Sequence, residues 1–139
     1  MAASSWVPKL TNVSGVDGTV GTGKFVEANG VCTFTAQIVA KKETQAASNA
    51  GFGLNLPVPA AAGIRYVFNA SLDGRDADSG VWTGEAQIYA GSDGSQIDRI
   101  RMTTGANGSA VVNIGHLYGD SEGATDAEII TVTGSYPTA

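Results

Sequence analysis

The sequence holds one cysteine and one histidine in 139 residues. Cys32 alone cannot close an intrachain disulfide, and one Cys with one His cannot assemble the usual N/S zinc centre within a single chain. A Ser-His-Asp triad would have to use His116, yet no serine sits in a Gly-x-Ser-x-Gly elbow. Charged residues make up only 15%. No apolar run approaches the ~20 residues of a membrane span. The opening Met1-Ala2-Ala3-Ser4-Ser5-Trp6 lacks the basic and apolar regions of a signal peptide. Thirteen acids against eight bases give a net charge of −5. Basic residues cluster no further than Lys41-Lys42 and the Arg99/Arg101 pair, so a nucleic-acid backbone has no footprint to bind. The expectation is a protein made in a cytoplasm, with no catalytic centre, metal, cofactor, nucleic-acid or membrane partner.

What is present points to strands. Nineteen glycines and a scarcity of Lys, Glu and Leu argue against helices. Val, Ile, Thr and aromatic residues instead recur in short runs bounded by Gly, Asn and Asp. Val20 to Glu27 leads into Asn29-Gly30, the dipeptide suited to a tight hairpin turn, and Val31 begins the return. On that return Cys32, Phe34, Ala36, Ile38 and Ala40 share one face while Thr33, Thr35 and Gln37 share the other. Cys32 therefore reads as a small buried hydrophobe.

Lys41 to Ala50 reads as a loop or one short helical turn. Phe52, Leu54 and Leu56 alternate up to Pro57 and Pro59. Ile64, Tyr66, Phe68, Ala70 and Leu72 form the longest apolar stripe. Val81 to Ala90 carries Trp82, Ala86 and Ile88 on one face and Thr83, Glu85, Gln87 and Tyr89 on the other. Ser92-Asp93-Gly94-Ser95 and Asn107-Gly108 turn the chain twice more, placing Ala110, Val112 and Ile114 on a further face, before a last strand from Glu128 to Tyr136. About eight strands at intervals near ten residues set the rhythm of a single all-β domain, an antiparallel β-sandwich or jelly roll. Residues 1–19 read as an extended N-terminal arm and residues 20–139 as the sandwich.

Two acidic loops qualify as ligand sites. Asp73-Gly74-Arg75-Asp76-Ala77-Asp78-Ser79-Gly80 departs from the spacing of a calcium loop and lacks its bidentate Glu. Its Asp73, Arg75, Asp76 and Asp78 remain a candidate ligand-binding cluster, against the simpler account of a solvated hairpin tip. Asp120, Glu122, Asp126 and Glu128 read as a solvated loop. His116, beside Leu117 and Tyr118, reads as a packed or surface side chain. Three Asn-x-Ser matches, at Asn12, Asn69 and Asn107, are chance matches without a secretory leader.

Several features fall in a familiar order: Trp6-Val7-Pro8-Lys9-Leu10-Thr11, Gly18-Thr19-Val20-Gly21-Thr22-Gly23-Lys24-Phe25, the Asn29-Gly30 hairpin, Leu56-Pro57-Val58-Pro59-Ala60-Ala61-Ala62, and Ile130-Thr131-Val132-Thr133-Gly134-Ser135-Tyr136. Together they resemble the small β-sandwich modules of tailed-bacteriophage virions, found at the ends of minor tail and receptor-binding proteins and as free-standing capsid decorations. Ala124-Thr125-Asp126 stands where such modules often carry a Trp and a Gly-Asp step, and the chain ends on Pro137-Thr138-Ala139 rather than an acidic tail. Because the domain begins almost at Met1, with no shaft segment, the resemblance implies a non-enzymatic capsid decoration or head-fibre protein. It would be displayed on the virion as a homo-oligomer, a trimer being one arrangement, with the major capsid protein or another virion protein as partner. Trp6, Pro8 and Leu10 are the expected contact, unless Trp6 plugs the protein's own core. The alternative is a tail-tip module recognising a host-surface glycan.

Overall fold

The computed structural model describes residues 2–73, 81–104, 110–119 and 127–139. Every regular element among them is a strand: Ser4–Trp6 (β1), Leu10–Thr11 (β2), Val13–Ser14 (β3), Thr19–Ala28 (β4), Val31–Ala40 (β5), Thr44–Ala46 (β6), Gly53–Asn55 (β7), Tyr66–Asp73 (β8), Val81–Ile88 (β9), Gln96–Ile97 (β10), Arg99–Thr104 (β11), Ala110–Asn113 (β12), His116–Leu117 (β13) and Ile129–Pro137 (β14). The expected hairpin is β4–β5, paired in register from Thr19↔Ala40 to Ala28↔Val31. Asn29 and Gly30 turn it with φ of 54° and 77°, the two positive values that a two-residue turn of matching twist demands.

Eight strands form one antiparallel sheet in the order β1-β4-β5-β14-β8-β9-β11-β12. Its inner face is the alternation visible in the sequence. Cys32, Phe34, Ala36, Ile38 and Ala40 are buried beside Ile130, Val132 and Tyr136, then Phe68, Ala70 and Leu72, then Ala86, Ile88, Ile100 and Met102. The opposing layer is made of two three-stranded sheets, β10-β7-β2 and β13-β6-β3. They and their flanks add Leu10, Phe52, Leu54, Ile97, Ile114 and Leu117 to the same hydrophobic cluster. The domain is thus an all-β, sandwich-like fold with unequal layers.

Aromatic rings knit the inner face together. Phe34 meets Phe68 edge-on at 5.2 Å and Tyr136 at 5.7 Å, the geometry that aligns a ring's positive edge with its neighbour's negative face. The Tyr136 hydroxyl donates to the Val58 carbonyl at 2.7 Å, and that of Tyr66 to the Ala61 carbonyl at 2.8 Å. These bonds pin the proline-bearing segment against the sheet. Burial pushes both the Cys32 thiol and the Tyr136 hydroxyl up from their ordinary pKa values, so both are protonated at neutral pH.

The N-terminal segment differs most from expectation. It is extended, but not a free arm. β1 pairs with β4, β2 with β7 and β3 with β6. Pro8 and Leu10 are buried. Trp6 is half-buried over Gly23, where a Cβ would collide with the indole ring, and it meets Phe25 and Phe34 edge-on at 6.0 and 6.1 Å. Trp6 plugs the protein's own core.

Smaller corrections have local causes. Lys41 to Ala50 contains strand β6 rather than a helical turn, because Thr44 and Gln45 pair with Leu117 and His116. Ile64 is 58% exposed, since Gly63, at φ 92°, turns the chain before the stripe begins at Tyr66. Val112 is 40% exposed, because β12 is the last strand of the large sheet and has no further neighbour there to cover it. Glu128 is buried rather than solvated, its N–H donating to the Tyr118 carbonyl at 3.1 Å.

Candidate functional site

The outer face of the large sheet carries polar side chains across its whole width. One transverse row follows from the strand register. Ser5 opposes Lys24, Lys24 opposes Thr35, and Thr35 opposes Thr133. Thr133 opposes Asn69, Asn69 opposes Glu85, Glu85 opposes Arg101, and Arg101 opposes Asn113. A neighbouring row runs Thr22, Gln37, Thr131, Ser71, Thr83.

The half formed by β1, β4, β5 and β14 is rich in hydroxyls, three of which have side-chain partners on a neighbouring strand. Lys24 Nζ donates to Ser5 Oγ at 2.7 Å, and Thr33 Oγ1 lies 2.9 Å from Ser135 Oγ.

The half formed by β8, β9, β11 and β12 holds charge and concavity. A cleft of about 430 Å³ is lined by Val67, Asn69, Thr83, Glu85, Arg101 and Thr103, with Val111 at its rim. A shallower hollow of about 290 Å³ continues from it over Ser71, Thr131 and Thr133. Gly84 lies between β8 and β11, so near β11 that a Cβ would overlap the Arg101 carbonyl oxygen.

Two arginines on β11 meet different fates. Arg99 Nε donates to Gln87 Oε1 at 2.8 Å, Gln87 Nε2 donates to Glu85 Oε1 at 2.7 Å, and the Arg99 guanidinium lies 5.1 Å from the Tyr89 ring centre. Gln87, placed by alternation on the wet face, is buried by this relay. Arg101 Nε is enclosed by protein and has no hydrogen-bond partner among the described residues. Its opposite number Glu85 is already engaged by Gln87.

A second cleft, of about 490 Å³, lies beside β6 and β13, lined by Gln45, Ser48, Asn49, Asn113 and His116 among others. Its Asn113 Nδ2 donates to the Asn49 carbonyl at 3.3 Å, and its Ser48 Oγ accepts from Asn12 Nδ2 at 3.0 Å. His116 stacks on Tyr118 at 4.3 Å, and its Nε2 stands 3.7 Å from Glu43 Oε2, too far for a hydrogen bond.

Of the residues singled out from the sequence, Trp6 is half-buried over Gly23, Pro8 is buried beside Gly21, and Leu10 is buried opposite Leu54. Asp73 is exposed at the end of β8, while Arg75, Asp76 and Asp78 lie outside the described residues. The outer cleft was not anticipated. Its one sequence signal is the alternation of Glu85, Gln87, Arg99 and Arg101 on wet-face positions, and register alone brings them together with Asn69. Among the described residues no group of three or more His, Cys, Asp or Glu side chains is placed to hold a metal ion. Also among them, no helix is long and apolar enough to cross a membrane. Compared with known proteins, the chain matches no family model, no curated protein and no solved structure.

Proposed function

We propose that this chain is a non-enzymatic structural protein of a tailed-phage virion surface, a decoration bound in many copies to the capsid shell. The observation that carries the reading is the hydroxyl-rich half of the outer face, Ser5, Lys24, Thr35 and Thr133 with the neighbouring Thr22, Gln37 and Thr131. Short Ser and Thr side chains lose little rotamer freedom when covered, and a face with one charge in such a row has little to desolvate. Such a surface suits a broad contact repeated on a lattice, where weak sites gain strength from number. A closed homo-oligomer, with a trimer as one option, fits the symmetry of a shell.

The arm is not the lever for testing this, because removing residues 1–10 would also remove Leu10 from the core. Thr133→Arg is the better probe: it puts a long cation on β14, at the border of the half-face, without touching the interior. Purified shells should bind the unaltered protein and lose most of the variant. Equal binding of both would remove this face from the proposal. Failure of the unaltered protein to bind shells, together with its recovery in the tail fraction of disrupted virions, would replace the decoration reading. A tail-tip module recognising a host-surface glycan is the second reading, and the uncommitted Arg101 in the outer cleft favours it.

A further inference from the structure

We propose that the cleft between β8 and β12 is a binding site for a carboxylate-bearing saccharide, with Arg101 taking the carboxylate. A guanidinium keeps its charge at every accessible pH, so enclosing its Nε without a partner leaves a desolvated donor that nothing among the described residues repays. Four enclosed side-chain atoms lack partners among the described residues: Trp6 Nε1, Thr11 Oγ1, His116 Nε2 and Arg101 Nε. Arg101 is the only one of these with a permanent charge, and it lines the cleft. Two residues away, the Arg99 Nε has a partner in Gln87 and its guanidinium lies over the Tyr89 ring, whereas the Arg101 Nε has none among the described residues.

The surroundings select the class of anion. Because the Arg101 Nε is enclosed, a carboxylate would be met by the two terminal amino groups of the guanidinium, a planar pair that matches it in two-point geometry. Glu85 stands on the adjacent strand directly opposite, and the chain carries a net charge of −5. Both oppose a ligand whose negative charge is dense or repeated, such as phosphate or a polyanion. Glu85, Asn69, Thr83 and Thr103 supply the mixed acceptors and donors that sugar hydroxyls need. Val67 and Val111, 53% and 52% exposed, give apolar walls for the C–H face of a sugar ring. A cleft of about 430 Å³ is within the ~300–1,000 Å³ range of small-molecule sites.

This site does not depend on the virion reading, and the two are separable: Arg101→Gln should leave shell binding unchanged while abolishing saccharide binding. The probes are glucuronic acid and N-acetylneuraminic acid, their neutral methyl esters, and inorganic phosphate, each titrated into the isotope-labelled full chain and followed by amide and side-chain NMR. The expected result is saturable shifts at Asn69, Glu85, Arg101 and Thr103 with one of the acids. The ester should bind at least about tenfold more weakly, as loss of a charge-assisted pair requires. Arg101→Gln should bind neither, with its remaining spectrum unchanged. Equal binding of acid and ester, shifts confined to other surfaces, phosphate matching the acid, or no saturable shift with either acid at millimolar concentration would each overturn the proposal.

Discussion

The two halves of the outer sheet face are built on one backbone scheme and end in opposite chemical states. On β4, β5 and β14 the ladder is long and uninterrupted, its outer side chains are mostly short hydroxyls, and Thr33 and Ser135 meet across it. On β8, β9, β11 and β12 the strands are shorter, Gly84 brings β9 close to β11, and a cleft opens beside Arg101, whose Nε has no partner among the described residues. Regular pairing of small residues yields a surface fit to be covered. A close approach at one glycine, with long polar side chains on either side, yields a surface fit to hold something.

The sharpest way to break this contrast is at Gly84. Gly84→Val drives a side chain into the Arg101 carbonyl and the Met102 Cα, and overpacking of that kind should cost about 3 kcal/mol, read as a lower urea midpoint. Hydrogen exchange should rise on β9 and β11 before it rises on β4 and β5; a uniform rise would mean that the halves are one cooperative unit.

Leu10→Ala comes next, at about 2–4 kcal/mol for an emptied core site. An unchanged midpoint would restore the free arm. Tyr136→Phe deletes the bond to the Val58 carbonyl and should cost about 1–2 kcal/mol, since a buried acceptor is left unpaired. The same residue predicts an alkaline limit. Its pKa and that of Cys32 are raised in the folded chain, chiefly by burial. The stability they contribute is therefore complete below the unfolded pKa values and declines as pH rises through them, from about 8.5 for a thiol and about 10 for a phenol. Melting temperature should fall above that range, and less steeply in Tyr136→Phe. The smallest stability effects belong to the outer face: Thr133→Arg and Arg101→Gln should each stay within about 0.5 kcal/mol, while the first loses shells and the second loses the acidic sugar.

Much of the fold is legible in the sequence because alternation and turn chemistry are local. The Asn29-Gly30 hairpin and the inward stripes of Cys32 to Ala40 and Tyr66 to Leu72 need no partner to be recognised. Pairings across long separations are not local. Trp6 settles over Gly23 and Leu10 beside Leu54, and nothing within residues 1–19 announces either contact. The candidate site was legible only in its parts. Alternation places Glu85, Gln87, Arg99 and Arg101 on the wet face, but the relay that buries Gln87 and does not extend to Arg101 depends on register between strands and on side-chain reach.

The position of β14 also bears on when the sheet can exist. It is synthesised after both of its neighbours, yet it lies between β5 and β8, so the β4–β5 hairpin and the strands β8, β9, β11 and β12 share no strand until it arrives. Each half must wait with a bare hydrogen-bonding edge, the condition under which nascent chains pair with the wrong neighbour. Final assembly is a single insertion joining residues as distant as Thr33 and Ser135, and non-local closure of this kind is slow. Pulse-labelling should find the amides of Ile130 and Val132 protected in the last phase of refolding.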